Sequence, residues 1–113
     1  MKKRKSPAQA LAKTTPRFDT QKRELWVGHT LVKKFLQPAA AQETIVQAFQ
    51  ELDWQDIIDD PLPRVDAVNP KHRLHDAIQN LNRNQRGHVL HFFGDGSGKR
   101  VGWELRATPE LQQ

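Results

Sequence analysis

The chain has no cysteine, which excludes disulfides, thiol nucleophiles and thiolate-bound zinc together. Such a chain suits a reducing compartment, and the expectation is a cytoplasmic protein. Apolar residues are scarce too. Of 113 residues 36% are hydrophobic, below the usual globular share, so part of the chain adds nothing to a core. No apolar run approaches the length of a membrane span. Met1-Lys-Lys-Arg-Lys5 is a signal-like start, but Ser6 to Lys13 lacks the apolar stretch that an export signal needs. A soluble protein without a membrane partner is expected.

Catalytic sets are missing as well. Asp59 and Asp60 are sequence neighbours whose side chains diverge, a poor acid–base pair. The run Gly94-Asp-Gly-Ser-Gly98-Lys99-Arg100 has phosphate-loop composition but leads into a strand, where the Walker form leads into a helix. It reads as a hairpin turn, with glycine supplying positive φ. His72 and His75 stand three apart on a helix, and His88 and His91 three apart on a strand, where they point to opposite faces. Without cysteine or a convergent carboxylate, neither pair makes a metal site. The expectation is a binding protein, with no enzymatic activity, metal or cofactor.

Charge is present in plenty, and it is unevenly spread. Residues 1–23 hold eight cations and one acid, a net +7, whereas residues 24–113 hold ten cations and twelve acids, a net −2. The basic character therefore belongs to the amino-terminal arm, which includes Lys2, Lys3, Arg4 and Lys5. Residues 1–22 offer only Leu11 and Phe18 as sizeable apolar groups, so they read as a disordered basic arm. Such an arm supplies salt-sensitive, sequence-blind attraction to a polyanion.

The domain is expected over 23–106, with a loose tail at 107–113. Leu25-Trp-Val27 and Thr30 to Phe35 flank Gly28-His29 as a hairpin. Ala41, Ile45, Ala48, Phe49 and Leu52 recur at helical spacing, placing a helix over about 39–53. Residues 54–68 read as a packed loop with at most one helical turn, broken by Asp59-Asp60-Pro61-Leu62-Pro63. A second helix begins at the Asn69 cap and Pro70 and carries Leu74, Ala77, Ile78 and Leu81 as its apolar stripe. Gly87 suits its C-terminal stop. His88–Phe93 and Arg100–Leu105 then form a second hairpin. The fold class is α+β.

Opposite the apolar stripe of the second helix lie Lys71, His72, Arg73, His75, Gln79, Asn80, Asn82, Arg83 and Arg86, side chains that reach phosphates and base edges. Residues 71–100 carry six cations and two acids, a local +4. The order of elements, with Leu74-His-Asp-Ala-Ile-Gln-Asn-Leu81-Asn-Arg83, His88-Val-Leu-His-Phe-Phe-Gly-Asp-Gly96 and Val101-Gly-Trp103, resembles the winged helix-turn-helix domains of response-regulator transcription factors. The likeness spans about 24–105. The chain also looks like small uncharacterised bacterial proteins with the same hairpin-helix-GDG pattern. The first resemblance implies a winged-helix-like transcription regulator or accessory subunit that binds duplex DNA, with RNA as a variant. Lys71, His75, Gln79 and Arg83 would then read the groove, Lys99 and Arg100 on the wing would meet phosphates, and Arg86 would extend the surface.

That family carries a further helix between the two named here, where this chain has its Asp-Asp-Pro-Leu-Pro break. A rival expectation starts from the same stretch. Six acids against Arg64 give residues 51–66 a local −5, a surface suited to docking on a basic protein partner.

Overall fold

A computed structural model describes residues 15–106. The described residues begin with an antiparallel meander of Pro16–Asp19 (β1), Glu24–Val27 (β2) and Thr30–Lys34 (β3). Phe18, Leu25 and Val32 point inward from successive strands and are buried. The β1–β2 turn is set by Asp19, whose carboxylate accepts the N–H groups of Gln21 and Lys22, both at 3.0 Å. The Gly28-His29 link puts positive φ at its first residue, as a tight hairpin turn of the II′ kind requires.

Strand β1 corrects one expectation. Residues 16–19 are part of the fold, with Phe18 packed edge-on against Phe35 at 5.9 Å. The remainder of the expected arm, Lys2, Lys3, Arg4 and Lys5 included, lies outside the described residues, as does 107–113.

Helix α1 spans Ala40–Glu51 and buries Ile45, Val46 and Phe49. It stops where Asp53 and Trp54 both take positive φ, and the Trp54 N–H turns back to the Phe49 carbonyl at 2.7 Å. Trp54 thereby stacks on Phe49, with centroids 5.1 Å apart, and meets Trp103 edge-on at 5.8 Å. Leu52, expected on the buried stripe, is instead 45% exposed.

Residues 54–68 hold a strand, Ile57–Asp59 (β4), where a packed loop with at most one helical turn was the expectation. β4 joins Leu90–Gly94 (β5) and Arg100–Leu105 (β6) in a second antiparallel sheet of order β4-β6-β5. From 60 to 69 the chain runs without a helix, so the extra helix implied by the winged helix-turn-helix resemblance does not form there. Over the described residues the fold is thus α+β, with two helices and two small antiparallel sheets. No described helix is long and apolar enough to cross a membrane.

Helix α2, Pro70–Asn82, packs across β5 and against α1. Leu74, Ala77, Ile78 and Leu81 join Phe49, Phe92, Val101 and the first sheet's Leu25 and Val32 in one core. Burying these side chains is the main favourable term, at roughly 1.5–3 kcal/mol for each large one. Gly87 does not end this helix. Arg83 is its C-cap in extended conformation, and Gly87 lies four residues further on with φ +73°.

Candidate nucleic-acid interface

The amino end of α2 is fixed by sequence-local chemistry. The Asn69 side chain accepts the Lys71 N–H at 2.9 Å and the His72 N–H at 3.3 Å, and Pro70 occupies a position whose N–H would have no partner. Its carboxyl end is held from a distance. The Lys33 ammonium, on β3, donates to the carbonyls of Asn80 at 2.6 Å, Arg83 at 2.9 Å and Leu81 at 3.4 Å. A cation there satisfies orphan carbonyls and opposes the negative end of the helix dipole. Half-burial, reinforced by the nearby Arg83 charge, pulls the Lys33 amine down to about 8.

At 100° per residue, the stripe opposite the buried face is His72, Asp76, Gln79 and Arg83. All four are exposed. Lys71 and His75, also exposed, sit on the flank toward the β5–β6 hairpin. Asn82 shares that flank but is spoken for. Its amide donates to the Phe92 carbonyl at 2.9 Å and accepts the Phe92 N–H at 2.8 Å, so it acts as a surrogate strand along β5.

The hairpin tip is internally braced. Asp95 accepts the Ser97 hydroxyl at 2.6 Å and its N–H at 2.9 Å, while the Lys99 N–H donates to the Ser97 Oγ at 3.0 Å. The Ser97 hydrogen bonds, with a smaller contribution from Arg100, hold the Asp95 carboxyl below its ordinary range. Gly98, at φ +77°, lies against the Lys71 stem: a Cβ there would stand 2.5 Å from Lys71 Cγ. The first turn of α2 and the tip are therefore in contact and form one surface.

The expected contact residues divide into two groups. Lys71, His75 and Lys99 gather where the helix start meets the tip. Lys99 has no ion-pair partner among the described residues. Arg100, beside it, is shared between Asp59 at 3.5 Å and Asp95 at 4.0 Å, which blunts the phosphate contact expected of it. Arg83 and Arg86 sit at the far end of α2, with the Arg86 N–H bonded to the Val32 carbonyl of β3 at 2.8 Å. Twelve residues of helix separate Lys71 from Arg83, about 18 Å, with Gln79 between them. Arg83 lines a shallow cleft with Lys33 and Lys34. Lys33 had no mark in the sequence, because a strand lysine carries no sign of a helix end some fifty residues ahead.

The first turn of α2 also borders a cleft of about 630 Å³, lined among others by Asp60, Arg64, Lys71, Arg73 and Lys99. Arg73 reaches across its rim to the Pro63 carbonyl at 3.1 Å. Among the described residues no three His, Asp or Glu side chains converge as a metal centre. Compared with protein-family models, curated proteins and solved structures, the chain matches none.

Proposed function

We propose that this chain binds nucleic acid, duplex DNA foremost, through the exposed face of α2 and the β5–β6 tip, as a regulator or accessory subunit. The observation that carries the reading is the seating of Lys71 on Gly98, which merges helix and tip into one surface bearing Lys71, His75, Gln79 and Lys99. Arg83 extends that surface along the helix. Long cationic and amide side chains on one rigid helix suit phosphate positioning and base-edge contact, and a braced hairpin beside them suits a second phosphate run. Asp76 on the outward stripe favours contact along the tip-side flank over the helix centre-line.

The test is a fluorescence-anisotropy titration of a labelled duplex with the full chain across a salt series. Lys99→Glu and Arg83→Glu should each weaken binding roughly tenfold or more and lower the log–log salt slope by about one per cation removed. Arg100→Glu should do less, since two carboxylates already share that guanidinium. Unchanged affinity in both Lys99→Glu and Arg83→Glu would sink the reading. Single-stranded RNA in parallel titrations separates duplex preference from general polyanion affinity.

A further inference from the structure

A sheet edge leaves a row of N–H and C=O groups in need of partners. Among the described residues, three of the four edges have at least one such group bonded from within the fold. On β1 the Phe18 N–H donates to Gln50 Oε1 at 2.8 Å. On β3 the Val32 carbonyl accepts from Arg86, and on β5 the Asn82 amide takes both groups of Phe92. The fourth edge is β4.

The register shows which β4 groups are free. Asp60 N–H donates to the Lys99 carbonyl at 2.8 Å, Trp103 N–H donates to the Asp56 carbonyl at 3.2 Å, and Ile58 stands opposite Val101. Antiparallel pairing alternates along a strand, so Ile58 faces β6 while the N–H and C=O groups of Ile57 and Asp59 point outward. No described residue bonds to them. Beside this edge Ile57 is 41% and Leu52 45% exposed. With Ala48 and Pro61 they line a groove of about 400 Å³. Asp59 also lines it, and Glu51, Asp53 and Asp56, each next in sequence to a lining residue, are exposed. The groove's cation, Arg100, lies 3.5 Å from Asp59 and 4.0 Å from Asp95.

We propose that the β4 edge is a strand-addition site for an extended basic segment of a partner protein. The segment's backbone pairs with Ile57–Asp59, one apolar side chain enters the groove beside Leu52 and Ile57, and flanking lysines or arginines face Glu51, Asp53 and Asp56. Charge selects this occupant. A phosphate backbone is repelled by the same acids, and two β4 edges paired with each other would set carboxylates against carboxylates. This surface adjoins the α2 and tip face at Arg100, but it is built from other groups, so the inference stands or falls independently of the nucleic-acid reading.

The experiment titrates the full chain against a fluorescein-labelled Lys-Ile-Lys-Val-Lys-Ile-Lys peptide. Saturable binding is expected, weakened roughly tenfold or more when alternate peptide amides are N-methylated or when the chain carries Ile57→Lys. Ile57→Pro removes an outward N–H and spares the β6 ladder, so it should act alike. An unchanged thermal melt of at least one variant certifies its fold. Equal binding of the methylated peptide would reduce the contact to charge attraction and overturn the proposal, as would no binding at all. Tighter peptide binding after Lys2, Lys3, Arg4 and Lys5 become Gln would give the edge to the chain's own arm. Self-association lost in Ile57→Lys would give it to a second copy, and either result overturns the partner segment.

Discussion

Gly102 sits in the middle of β6 with the Phe93 ring laid over it, and a Cβ there would meet Phe93 ring carbons at 2.7 Å and the Asp56 carbonyl oxygen at 3.0 Å. The ring can swing aside. The carbonyl cannot do so as freely, since it accepts the Trp103 N–H that anchors β4 to β6. Gly102→Ala should therefore destabilise the fold by about 2 kcal/mol, as overpacking in a closed site does, read from urea unfolding. A loss under about 0.5 kcal/mol would mean that the site has slack.

Lys33 gives a residue-scale prediction with a sign in pH. In the folded chain its amine is pulled from 10.5 down to about 8, chiefly by burial. Between those two values the unfolded chain binds more protons than the folded one, so stability rises with pH across the window. The cost of burying the ammonium is fully present below about 8 and is relieved as pH climbs towards 10.5. Unfolding free energies of the native chain and Lys33→Met, measured from about pH 7 to about pH 10, should diverge in favour of the native chain. Parallel curves would contradict it.

Elements differ in how far their own residues announce them. α2 was legible because its determinants are local: Asn69 caps it, Pro70 opens it, and the apolar stripe recurs at helical period through Leu81. The two hairpins were legible from glycine turns between bulky strands. β4 was not, since three residues running into Asp60-Pro61 gain strand character only from Gly102, Val101 and Arg100, more than forty positions on. β1 hid inside a polar arm because its four residues show Phe18 as their one sizeable apolar group. Of the candidate contact residues, the exposure of Lys71, His75, Gln79 and Arg83 followed from periodicity. The approach of Arg100 to Asp59 did not, because it depends on the unseen strand β4, nor did the loss of Asn82 to β5, because it depends on how α2 packs against that strand. The Asn82 amide makes an element-scale prediction: Asn82→Ala removes two hydrogen bonds to the β5 edge and should cost about 1–3 kcal/mol. Amide exchange at Phe92 should accelerate with it, and unaltered protection there would show that α2 does not seal that edge.

At the scale of the whole molecule, charge is divided between faces and between segments. The described residues hold thirteen cations and twelve acids, close to neutral, whereas residues 1–14 hold five cations and no acid. A near-neutral fold gains affinity for a polyanion only by gathering its cations, and here Lys71 and Lys99 collect at one end of α2 while the exposed acids Glu51, Asp53, Asp56 and Asp59 fall between the end of α1 and the end of β4. On the nucleic-acid reading, arm and fold then make separable contributions. Deleting residues 1–14 should lower the log–log salt slope of duplex binding by up to about 4.5, nearly one for each of the five cations removed. The residual affinity should still fall on Lys99→Glu, because that side chain sits on the fold. If deletion abolishes binding, and Lys99→Glu is silent in the full chain, attraction resides in the arm alone and the α2 face has another use. If the slope falls and Lys99 still matters, the arm raises encounter with any polyanion and the helix and tip fix the register in which it is held.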